Sequence, residues 1–93
     1  MNEEEKIKKE WELVSKIVDA INENLKKYGF FELWLKDYSF ISGSEFSIAR
    51  YGNTYYIRIH EGEKIIARIN VKLLKFITPI LFVVEQIESD KNE

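Results

Sequence analysis

The side chains best placed to do chemistry sit in two short runs. Tyr56 and Arg58 belong to Tyr51-Gly52-Asn53-Thr54-Tyr55-Tyr56-Ile57-Arg58-Ile59, and Arg68 belongs to Ile65-Ile66-Ala67-Arg68-Ile69-Asn70. A spacing of two places Tyr56 and Arg58 on one face of an extended strand. An aromatic ring between guanidinium groups suits single-stranded nucleic acid, because the ring stacks on a base while the cations follow the phosphates. Tyr51 and Lys64 extend the grouping at its ends. The same residue types anchor protein interfaces and also occupy ordinary wet sheet faces, so nucleic acid, a protein partner and plain solvation are three competing readings.

Composition removes most other chemistry. The chain has no cysteine and one histidine, His60, which excludes disulfides, thiolate metal sites and a Cys/His pair. His60 stands beside Glu61 and Glu63 at a turn, offering one imidazole and flexible carboxylates where a metal needs at least three convergent ligands. There is no glycine-rich phosphate loop and no Ser-His-Asp order. The expectation is therefore a non-enzyme with no catalytic residue, no metal ligand and no cofactor. Trp11 and Trp34 read as core or interface residues.

The 93 residues suit one domain, residues 1–93, and 45% hydrophobic with 32% charged residues excludes a disordered chain. The longest apolar run, Ile80 to Val84, is far short of the ~20 residues of a membrane span, and Glu3-Glu4-Glu5 stands where a signal peptide would be basic. A cytoplasmic protein with no membrane partner is expected. The net charge of 14 − 16 = −2 argues against coating duplex DNA, yet residues 29–78 carry seven bases and five acids, which leaves room for a local basic patch. Abundant lysine, glutamate and isoleucine, with a single glutamine, is a thermophile lean that an AT-rich genome also produces.

These residues need elements to hold them. Ile7, Trp11, Val14, Val18, Ile21, Leu25 and Tyr28 recur every three or four positions, which predicts a helix over 1–28, with Leu13 and Ile17 widening its stripe. Asn2 and Gly29 mark its ends. Over 30–70 the period changes to two, which predicts a three- to four-stranded antiparallel meander. Gly52-Asn53 closes one hairpin, pairing Ile48 with Ile57 and Ser47 with Arg58. A three-residue loop at Glu61-Gly62-Glu63 then pairs Ile59 with Ile65, giving outer rows Ser47-Arg58-Ile66, Ala49-Tyr56-Arg68 and Glu45-His60-Lys64. Phe31 to Ser42 reads as a further strand turning at Gly43-Ser44, with Phe30 to Lys36 open to a helical alternative and Tyr38 and Phe40 assigned to neither face. Asn70 caps a C-terminal helix over 71–88, kinked or broken at Pro79, and 89–93 is a frayed tail. The fold class is α+β in two layers.

The run from Tyr51 to Ile59, followed by Ile65 to Asn70 leading into a closing helix, resembles the transcriptional positive-coactivator type of single-stranded DNA-binding domain. The resemblance covers roughly residues 38–88 and rests on element order and a Gly-turn hairpin. It implies a curved antiparallel sheet that binds single strands through Tyr56, Arg58 and Arg68, and dimerisation through helices. The N-terminal helix, the aromatic and basic sheet and the thermophile lean are also similar to ThermoDBP-type archaeal single-strand binders.

The expected function is a single-stranded DNA- or RNA-binding module using Tyr56, Arg58, Arg68, Tyr51 and Lys64. The alternative is a protein-interaction or inhibitory regulator, as in small archaeal or viral proteins. The surplus of apolar residues in the last segment predicts a homodimer with Leu81, Phe82, Val84 and Ile87 at its interface, unless the first helix covers them.

Overall fold

The computed structural model describes residues 3–85. A single helix, α1 (Glu3–Tyr28), precedes seven strands: β1 (Phe31–Leu35), β2 (Phe40–Gly43), β3 (Glu45–Tyr51), β4 (Thr54–Glu61), β5 (Lys64–Asn70), β6 (Leu74–Thr78) and β7 (Phe82–Val83). The strands form two antiparallel sheets, one in the order β2-β1-β6-β7 and one in the order β3-β4-β5. The α+β class and the antiparallel pairing agree with the sequence, but the meander is divided between two sheets. No helix among the described residues is long and apolar enough to cross a membrane.

Buried side chains from α1 and both sheets meet in one core that includes Leu13, Val14, Ile17 and Ile21 with Phe31, Leu33, Ile57, Ile59, Leu74 and Ile77. The buried stripe of α1 is thus centred on Leu13 and Ile17, while Trp11 and Tyr28, assigned to it by spacing, are about half exposed. Trp11 instead lies beside the Tyr55 ring, at 5.8 Å between centroids. A helix that bridges two sheets needs a broad apolar face, and the residues that widened the stripe are the ones at its centre.

Gly43-Ser44 is a corner and not a hairpin. β2 pairs with β1, Trp34 opposite Phe40, and the chain then bends at Ser44 and continues as β3 in the other sheet. A Cβ at Gly43 would stand 2.8 Å from Ile59 Cγ2 and 2.9 Å from Phe31 Cζ, so only glycine lets the strand cross where the sheets close on each other. The hairpin pairing of this segment with β3 is therefore absent, and Phe31–Leu35 is strand.

The C-terminal helix over 71–88 is corrected by the structure. Asn70 does cap a helical turn, its Oδ1 accepting from Lys72 N at 2.9 Å, but the turn is a single 3-10 turn over Val71–Leu73. Residues 74–78 then form β6 beside β1, and Phe82–Val83 form β7. Val71, Leu74 and Ile77 are buried at helix-like intervals of three. The intervals have two other origins: the 3-10 turn separates Val71 from Leu74, and the register between β1 and β6 shifts between Trp34 and Leu35, so one extra residue, Lys75, is accommodated in the strand between Leu74 and Ile77. The break at Pro79 is real, with a cis Thr78-Pro79 peptide in the turn between β6 and β7. Asn24, fully buried on α1, holds this turn, its Oδ1 accepting from Ile80 N at 2.6 Å and its Nδ2 donating to Ile80 O at 3.3 Å. Residues 86–88, including Ile87, and the tail at 89–93 lie outside the described residues.

Candidate nucleic-acid interface

The β3–β4 hairpin has the predicted register throughout, with Ile48 opposite Ile57 and Ser47 opposite Arg58. Its loop carries Gly52 at φ +63, and the β4–β5 loop carries Gly62 at the same φ, each in the first position of a two-residue turn. The second loop is therefore one residue shorter than the sequence suggested. A β-bulge next to it restores the inward phase: His60 faces Ile65, Ile59 faces Ala67, and Ile66 is the residue left over.

This shift rearranges the outer face. Arg68 lies directly opposite Arg58, not Tyr56, and Asn70 lies opposite Tyr56. Lys64 pairs with Glu61 instead of His60, which removes it from the outward row. It stands four positions before Arg68 on β5, about 13 Å along a strand. The structure thus brings Tyr51, Tyr56, Arg58 and Arg68 together and leaves Lys64 apart.

Two arginines facing each other across a strand pair repel. Among the described residues neither has a carboxylate partner at ion-pair distance; Arg58 Nε donates to Ser47 Oγ at 3.0 Å, and the Arg68 guanidinium lies 5.2 Å from the centre of the Tyr51 ring. Ser47 Oγ is also 2.6 Å from His60 Nε2, so Arg58, Ser47 and His60 form one polar chain along the face. Tyr51 and Tyr56 meet edge to face, with centroids 5.6 Å apart. In such a pair one ring presents its edge, and its own faces are not consumed by the contact. The arrangement offers paired cations beside aromatic faces, which is what a phosphate with a neighbouring base requires.

The outer face of the β2-β1-β6-β7 sheet was not identified from sequence. Its central row is Phe40-Trp34-Phe76-Val83. Trp34 stacks on Phe40 at 4.5 Å and on Phe76 at 5.5 Å, with interplanar angles of 20° and 29°. Trp34 Nε1 donates to Thr78 Oγ1, which donates to Glu32 Oε1, fixing the indole. Because these rings stack on one another, they present edges outward and form an apolar ridge more than a base platform. Phe40 and Tyr38 are both exposed, at 53% and 63%, which settles their direction as outward. Tyr38 has φ +67, a left-handed conformation unusual for an aromatic residue, in a turn where Asp37 accepts from Ser39. The Ser39 side-chain and backbone donors hold the Asp37 carboxyl below its usual range. Lys75 Nζ lies 5.0 Å from the Tyr38 ring and pairs with Glu85, and their hydrogen bond raises the lysine and lowers the carboxyl.

The residues proposed for a dimer interface are dispersed. Of those that are described, Val84 is fully buried in the chain's own core, Phe82 packs against that core, and Leu81, at 64%, is freely exposed. Comparison with protein-family models, with curated proteins and with solved structures finds no match for the chain.

Proposed function

We propose that the chain binds single-stranded DNA or RNA on the outer face of the β3-β4-β5 sheet, with Arg58 and Arg68 on phosphates and Tyr51 and Tyr56 beside the bases. The observation that carries this reading is the direct juxtaposition of Arg58 and Arg68 without a carboxylate partner among the described residues. Such a pair is a cost to the free sheet that an anionic ligand removes. The positive-coactivator-type resemblance agrees in the use of the sheet, though without its closing helix over 74–78. A cytoplasmic location fits this role, and no catalysis is assigned to it. Fluorescence anisotropy with a labelled oligonucleotide tests it: binding near micromolar protein at low salt is expected, and its absence removes the reading.

A second reading concerns assembly. The ridge of exposed Phe40 and half-buried Trp34 and Phe76 favours protein contact, and a second copy of the chain is the simplest partner. The proposed homodimer then uses this sheet face in place of the segment containing Phe82 and Val84. Light scattering at tens of micromolar tests it, and the mass of one chain would remove it.

A further inference from the structure

At one end of the arginine face, where β2 turns the corner into β3, there is an open cleft of about 380 Å3 lined by Phe30, Ser42, Ser44, His60, Glu61 and Ile66. Two features make it a continuation of that face and not an incidental dent. The polar chain from Arg58 through Ser47 ends at His60, on the wall of the cleft. The β-bulge opposite His60 leaves Ile66 over, and this residue, 48% exposed, lines the cleft instead of packing in the core. Arg58 and His60 are two residues apart on β4, about 6.7 Å along a strand. That is comparable to the span from a phosphate to the base of the same nucleotide.

We infer that this cleft receives one unstacked base of the bound strand, and that the base it prefers is guanine. The inference rests on the nucleic-acid reading of the adjacent face and adds a position at which the strand is read. Phe30, 40% exposed, and Ile66 contribute apolar walls that suit the flat faces of a purine, while Ser42, Ser44, His60 and Glu61 make up the polar part of the lining. A carboxylate only accepts hydrogen bonds. Guanine is the base whose Watson–Crick edge presents two adjacent donors, N1–H and the N2 amino group, to a two-oxygen acceptor. The amino groups of adenine and cytosine each stand next to an acceptor nitrogen, which a carboxylate repels.

The test compares two labelled oligonucleotides, an octamer of dT and the same octamer with one central dG, by anisotropy at low salt. The dG is expected to raise affinity about tenfold, and Glu61→Gln, at the exposed end of β4, should bring the ratio of the two affinities close to one. Equal affinity of the two oligonucleotides for the unaltered protein would overturn the cleft as a base site while leaving the arginine face intact. A preference that persists in Glu61→Gln would overturn the assignment of Glu61 as the reader. Failure of both oligonucleotides to bind would remove the face and the cleft together.

Discussion

On the β3-β4-β5 sheet a central outward row runs Ser47-Arg58-Arg68; on the β2-β1-β6-β7 sheet it runs Phe40-Trp34-Phe76-Val83. Both rows stand on sheets whose other face enters the same core. The difference lies in what the side chains do to one another. The two arginines repel, and the adjacent tyrosines meet edge to face, so that face gains from an anionic ligand with flat bases. The three rings of the other row satisfy each other by stacking, and its carboxylate, Glu32, accepts from Thr78. That face gains only from losing water. Aromatic content alone therefore does not mark a nucleic-acid surface; the orientation of the rings and the charge beside them separate the two.

The largest effect is expected where the two sheets are joined to the helix unequally. Asn24 satisfies both backbone groups of Ile80 beside the stacked-aromatic sheet and, among the described residues, forms no hydrogen bond to the β3-β4-β5 sheet. Asn24→Leu should leave those groups unpaired and lower unfolding free energy by about 2–4 kcal/mol in urea titration. Amide exchange should accelerate first at Phe82 and Val83, and a loss spread equally over β3 and β4 would break the distinction.

Next in size is the ridge. Phe40→Glu replaces a half-exposed ring with a charge, and covering that ring in a dimer is worth roughly 1.5–3 kcal/mol per chain. Light scattering should show a dimer for the unaltered chain and a single chain for the variant. A dimer that survives the change would place the interface elsewhere.

A comparable or smaller effect is expected at Tyr56. Tyr56→Ala should weaken oligonucleotide binding by about 1–3 kcal/mol through lost stacking, read by anisotropy. Phe40→Ala in the same assay should leave affinity unchanged, and equal losses from both would erase the contrast between the two faces.

How much of this was legible in the sequence follows from the range of each interaction. The β3–β4 register was readable because Gly52-Asn53 fixes it locally and the alternation on both sides agrees. The β4–β5 register was not, since the loop length and the Ile66 bulge offset each other in the inward pattern while moving Arg68 and Lys64 on the outer one. β6 reads as helix because a 3-10 turn sets Val71 three residues before Leu74 and a register shift in the strand sets Leu74 three before Ile77, all of them buried. The ridge was invisible because Trp34, Phe40 and Phe76 come from three strands, and only the corner at Gly43 shows that Phe40 belongs beside Trp34 and not beside Ser47. Asn24 gave no signal at all, its partner being 56 residues away.

Arg58 and Arg68, opposite each other on β4 and β5, are expected to act together on phosphates. The direct measurement is the salt dependence of single-strand binding for the unaltered chain and for the double variant Arg58→Gln with Arg68→Gln. For single strands each neutralised phosphate contributes about 0.7 to the slope of log K against log salt. The variant is expected to fold, to bind more weakly and to have a slope shallower by about 1.4. An unchanged slope, or no binding by the unaltered chain at low salt, would contradict that joint action.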